Sequence, residues 1–150
     1  MMKLVTPLTQ IDTSALYTVG SRVMDKSGNE YIYLKGVAST LAGSWVTYDE
    51  AGITALLAAD AKGPVAVAMA AIVANDYGWY QVFGKCSALL AANCADNALI
   101  GRETADGYAG DGRAAGDEIY GAISRGSTSG SAALTTCEIW YPFVTDNNGS

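Results

Sequence analysis

This 150-residue chain contains no histidine. A hydrolase triad built around an imidazole base is therefore excluded. No glycine-rich phosphate loop is present, and the three cysteines, Cys86, Cys94 and Cys137, form no C-x-x-C pair. An odd number leaves at least one thiol unpaired. Free, partly buried thiols in a reducing cytoplasm are expected, with a Cys86–Cys94 bridge as the alternative. No apolar run approaches the roughly 20 residues of a membrane-spanning helix, and the longest, residues 64–74, is mostly alanine and valine. The first residues, Met1-Met2-Lys3-Leu4-Val5-Thr6-Pro7, lack the apolar core of a secretory signal.

Charge is also scarce. Only 16% of residues are charged, against about 25% in an ordinary soluble domain. Part of the surface is therefore expected to be covered by other subunits. The net charge is −6, and the nine Lys and Arg residues are scattered. A chain without a basic patch is not expected to bind DNA or RNA directly. An acidic surface remains available to a basic protein partner.

What the chain does contain is β signal. In Asp76-Tyr77-Gly78-Trp79-Tyr80-Gln81-Val82-Phe83-Gly84, aromatic and β-branched residues stand between glycines, as in a strand bounded by turns. Gly63-Pro64 and the apolar residues 65–73 precede it, with Asn75-Asp76 as a turn. Together they predict a central hairpin. A second hairpin is predicted where Ser21-Arg22-Val23-Met24 meets Glu30-Tyr31-Ile32-Tyr33-Leu34-Lys35 across a turn containing Gly28. Tyr31, Tyr33 and Lys35 should face one way, Ile32 and Leu34 the other. Further strands are predicted at Trp45-Val46-Thr47-Tyr48, at Cys86 to Leu90, at Ala98-Leu99-Ile100-Gly101, at Glu118 to Ile123 and at Thr135 to Tyr141. Residues 50–62 have helical propensity in their alanines, but Gly52-Ile53-Thr54 favours a strand at Ile53 to Leu57.

The pattern predicts an all-β fold, a small barrel or sandwich of short antiparallel strands with an extended N-terminal arm. Residues 1–19 form the arm, residues 20–144 a single β-domain, and residues 145–150 a flexible tail. Within the arm, Leu4, Val5, Leu8 and Ile11 are apolar without strand or helix period, and Pro7 keeps the segment extended. Leu4, Val5, Pro7, Leu8 and Ile11 are the candidate partner interface.

Candidate chemistry is thin. Glu103, Asp106, Asp111, Asp117 and Glu118 are the densest acids, interleaved with glycine. They read as a solvated loop rather than a carboxylate pair held for catalysis. Ala115-Gly116-Asp117-Glu118-Ile119-Tyr120-Gly121 faintly echoes a calcium-binding repeat, but a single copy lacks the neighbours that such repeats need. No catalytic residue, metal ligand or cofactor is assigned. Trp45, Trp79, Tyr80, Trp140 and Tyr141 offer a sugar-stacking platform if exposed. Trp79 and Trp140 lie inside predicted strands, and core filling is the expectation. Asn148-Gly149-Ser150 matches a glycosylation sequon only at the end of the chain.

Four segments in order go beyond composition: Gly43-Ser44-Trp45-Val46-Thr47-Tyr48, Gly63-Pro64-Val65-Ala66-Val67-Ala68, Tyr77-Gly78-Trp79-Tyr80-Gln81-Val82-Phe83-Gly84, and Ala115-Gly116-Asp117-Glu118-Ile119-Tyr120-Gly121-Ala122. They span about half of the chain. In order and style they resemble the head-decoration, or cement, proteins of tailed phages, encoded beside the major capsid protein. The resemblance implies a non-enzymatic protein made in the host cytoplasm and carried on the capsid surface of the virion. Such a protein assembles as a trimer and braces neighbouring copies of the major capsid protein. The runner-up is a carbohydrate- or ligand-binding β-module using exposed tryptophans.

Overall fold

The structure, a computed structural model, describes residues 7–103, 105–112 and 117–145. Among them the fold is all-β, without a helix. Its strands are β1 (Arg22–Met24), β2 (Glu30–Lys35), β3 (Trp45–Tyr48), β4 (Thr54–Leu56), β5 (Gly63–Ala68), β6 (Tyr77–Leu90), β7 (Leu99–Arg102), β8 (Ala109–Gly110), β9 (Glu118–Ser124) and β10 (Ala133–Val144). They form one ten-stranded mixed sheet in the order β1-β2-β6-β8-β7-β9-β10-β5-β3-β4, with β6 also paired to β10 and β5. Those extra pairings close β6, β8, β7, β9 and β10 into a ring, though not a regular barrel. All pairings are antiparallel except β6 with β8.

The long strand β6 makes this arrangement possible. The sequence predicts a break at Gly84; instead the strand runs through it. Gly84 has φ +103°, and a Cβ there would lie 1.9 Å from Asn29 Oδ1, so only glycine fits. Before this point β6 pairs with β2 on one edge and with β5 on the other; beyond it, β10 replaces β5. The predicted central hairpin is correspondingly open. Only Val67↔Gln81 and Ala68↔Tyr80 pair, because residues 69–76 leave the ladder to bridge Ile72 to Thr40.

The period-two alternation sorts side chains into three clusters. Tyr31, Tyr33 and Trp79 pack with Val23 on one face of β2 and β6. Their neighbours in sequence, Ile32, Leu34 and Tyr80, pack with Val46 and Ala66 on the other. Strands β3 and β5 are shared in the same way: Trp45, Val65 and Val67 turn into the ring core with Leu90, Ile100, Cys137 and Ile139. Tyr31 and Ile32 face opposite ways, as their alternation predicts, and both faces of the middle layer are buried. Trp45 Nε1 donates to Leu89 O at 3.0 Å, which pairs the one polar atom of a fully buried indole. Residues 50–62 contain β4 and no helix.

Residues 7–19 are not the extended segment expected: they run through turns and bends, with Gln10 N donating to Pro7 O at 3.1 Å, and lie against their own domain. Asp12 bridges to Tyr77, and its Oδ2 accepts the Tyr33 hydroxyl at 2.6 Å. Leu8 and Tyr17 cover the Tyr33/Trp79 cluster, and Ile11 covers the middle one. Tyr17 meets Tyr33 edge-on at 5.2 Å between ring centres. The hairpin turn between β1 and β2 is held by Asp25, which accepts bonds from Ser27 N, Asn29 N, Asn29 Nδ2 and Tyr31 Oη. Burial alone would raise this carboxyl, but those donors, led by the Asn29 and Tyr31 side chains, hold it below the ordinary aspartate value.

Candidate functional site

Two surfaces stand out, at the two ends of the outward face of β10. Leu134, Thr136, Glu138 and Trp140 share that face by alternation. Leu134 and Trp140 are thus about 20 Å apart along the strand.

The aromatic end is created by a bulge. Ile139 pairs with Ala122 and Phe143 with Tyr120, so β10 carries two extra residues across a short stretch of β9. Two backbone conformations permit this. Tyr141 takes φ +45°, and Gly121 takes φ +78°, with a would-be Cβ only 2.7 Å from Trp140 O. A bulge re-aims side chains, and here Trp140, Tyr141 and Phe143 all reach solvent. Trp140 is 43% exposed, whereas Trp45 and Trp79 are 0% and 2% exposed. The expectation that Trp140 fills the core is corrected: Cys137 and Ile139 turn inward and Trp140 turns outward by regular alternation. The bulge adds Tyr141, which alternation would turn inward. For Trp79 the expectation holds.

The display is rigid. Tyr120 and Phe143 stack with ring centres 5.1 Å apart and planes 20° apart. Tyr141 packs against Phe83, and its hydroxyl donates to Glu30 Oε2. Beside Trp140 lies a cleft of about 250 Å³ walled by Leu99, Tyr120 and Ile123, with Glu118 at its border. Outside the cleft, Glu138 is the cross-strand partner of Ile123; Arg125 Nε donates to Glu138 Oε1 at 2.8 Å and Arg125 Nη1 to Asn97 Oδ1 at 2.7 Å.

The other end is built from segments without charge. Residues 36–48, 63–75, 86–95 and 126–137 contain no Asp, Glu, Lys or Arg. The fold gathers these four intervals. Gly43 N donates to Ala68 O, Leu89 N to Gly43 O, and Asn93 N to Ser129 O. Thr40 bridges Ile72, and Leu134 pairs with Leu89 across β6 and β10. Leu41, Val73 and Leu134 are about half-exposed there, around a shallow cleft of about 190 Å³ floored by Gly43 and Ala68.

The residues singled out from sequence are placed as follows. Leu8 and Ile11 bury their apolar surface within their own domain, and Pro7 is exposed; Leu4 and Val5 lie outside the described residues. The five acids do not converge. Asp106 and Asp117 flank Arg102 at 3.4 and 4.0 Å. Glu103 accepts from Gly112 N, and Asp111 accepts from Ala95 N. Glu118 borders the Trp140 cleft. Among the described residues no group of three or more carboxylates or cysteines is placed to hold a metal ion.

All three cysteines are free and buried. Cys86 stands directly opposite Cys137, not Cys94. Burial pushes the Cys137 thiol up to about 12 and raises Cys86 and Cys94 as well. Thiols held protonated in this way are poor nucleophiles.

No family model matches the chain, and no curated protein or solved structure matches it significantly.

Proposed function

We propose that this protein is a non-enzymatic virion component that binds the outer surface of an assembled phage capsid, as the cement-type proteins it resembles do. The charge-free end carries this reading. Protein interfaces deplete charge from their centres, and a chain of net charge −6 repels its own copies except through a surface without charge. Leu41, Val73 and Leu134 supply exposed apolar anchors, and small residues around Gly43 allow close backbone approach. This end is suited to meeting the major capsid protein and copies of the chain itself, as in the implied trimer. A partner that binds only the assembled shell stabilises it by mass action, with no bond chemistry.

Co-sedimentation with assembled capsids tests the reading. The protein should pellet with closed shells and remain in solution with unassembled capsid subunits. Leu41→Glu with Leu134→Glu should abolish pelleting. Equal binding to shells and free subunits, or pelleting unaffected by the two charges, would defeat the proposal.

A further inference from the structure

We propose that the cleft beside Trp140 is a carbohydrate-binding site that takes one ring of a hydroxyl-rich oligosaccharide. Its residues are separate from the charge-free end, so either assignment stands or falls without the other.

The chemistry on the page is that of a sugar ring. A pyranose has an apolar C–H face and an edge of neighbouring hydroxyls that both donate and accept. Trp140 offers a half-exposed indole, and aromatic rings hold polarised C–H groups against their electron-rich faces. Leu99 and Ile123, cross-strand neighbours, complete an apolar wall. Glu118 lines the cleft and supplies a carboxylate acceptor. Next to the wall, on the same face by register, Glu138 is the cross-strand partner of Ile123. It holds the Arg125 guanidinium, a further donor to the part of a glycan outside the cleft. Charged partners make the stronger hydrogen bonds, and a fork or carboxylate engages two adjacent hydroxyls at once.

These polar groups are fixed before any ligand arrives, because Arg125 ties Glu138 to Asn97. The aromatic groups are fixed by the bulge and by the Tyr120/Phe143 stack. Preorganisation of this kind lowers the entropic cost of binding. The volume also fits: about 250 Å³ is below the roughly 300–1,000 Å³ of drug-sized pockets, which suits a single ring with the rest of the glycan outside.

A protein occupant fits less well. Glu118, Glu138 and Arg125 stand at the edge of the aromatic wall, where a protein interface would place its charge-depleted centre. The same molecule provides a surface without charge at the other end of β10.

The buried state of Trp45 and Trp79 makes tryptophan fluorescence a local reporter of Trp140. We would titrate the full chain with maltohexaose, cellohexaose, chitohexaose and mannohexaose, following emission and protection from iodide. At least one should produce a saturable blue shift with millimolar or tighter affinity. Trp140→Ala should eliminate the shift and the binding measured by calorimetry, with an unchanged far-ultraviolet spectrum. Trp140→Phe should retain part of the affinity, and Glu138→Gln should weaken it about tenfold. Absence of saturable binding to all four sugars at tens of millimolar overturns the site. So does binding that survives Trp140→Ala, or loss of capsid pelleting in Trp140→Ala without any sugar binding.

Discussion

The two ends of the β10 face are built from one ladder yet differ in every property that decides what they can meet. Around Leu134 the strand alternates regularly and side chains are small, and along the ladder of β6 and β10 charge begins only at Lys85 and Glu138. Around Trp140 the ladder is broken by a bulge, side chains are large and aromatic, and charges line the edge. A flat surface without charge gains by excluding water over an area, and a stable protein contact of that kind buries more than about 1,000 Å². A concave aromatic surface with fixed polar groups gains by fitting one small, polar-edged ring. On the two proposals, one strand would serve area recognition at one end and ring recognition at the other.

The comparison depends on a common scaffold, and Trp79→Ala tests that dependence with the largest expected effect. Removing this buried indole should cost about 3–5 kcal/mol and lower the melting temperature by about 10 °C. Capsid pelleting and sugar response should be lost together on heating. A melt within a degree or two of the parent would show that the clusters behind the two ends are not coupled.

Gly121→Ala sharpens the comparison next. A methyl at this positive-φ position meets Trp140 O, so the substitution should cost about 1–3 kcal/mol. It should change the emission of Trp140 while leaving oligomeric state by light scattering unchanged. Should the association of copies fall with it, the two ends are not independent.

Trp140→Ala is the mild counterpart. A half-exposed side chain outside the clusters should change stability by no more than about 0.5 kcal/mol, measured by urea denaturation. A cost like that of Trp79→Ala would mean that the indole belongs to the core and that the cleft is not an open site.

The smallest effect lies away from both ends, at the Asp25 turn. Its carboxyl is held below the ordinary value, so its contribution is present above the unfolded value near 4 and is lost as pH falls through the folded value. Asp25 is only half-buried, so solvent screens its turn and the loss is modest. Asp25→Asn should therefore narrow its stability gap to the parent as pH falls below about 4. A gap that stays constant down to pH 2 would remove Asp25 from that role.

Much of the fold was legible. Alternation in Tyr31 to Leu34 placed both faces of β2, and Gly52-Ile53-Thr54 outweighed the alanines of residues 50–62. The charge-free intervals were visible as well, but only pairing brings them together, and they were not singled out. Trp140 is outward because Cys137 and Ile139 face the core and alternation turns the next residue away; which parity of the strand faces inward is set by its partners. The run Trp140-Tyr141-Pro142-Phe143 held a warning, since consecutive aromatics cannot all face inward from an alternating strand. The apolar residues of the arm lack a period, and Leu8, Ile11 and Tyr17, partly buried, pack on clusters contributed by β2 and β6, whose shape no local pattern in the arm encodes.

By itself, then, the sequence determined that this chain is all-β, which residues of β2 alternate, and that histidine chemistry is excluded. These follow from local properties: side-chain period, turn residues and composition. Tertiary structure alone decided that Gly84 continues a strand, that Cys86 faces Cys137, that four uncharged intervals share one end, and that Trp140 is exposed beside a cleft. Each of those depends on pairing between residues distant in the chain, and a bulge or a close backbone approach is set by the partner strand rather than by the segment that bears it.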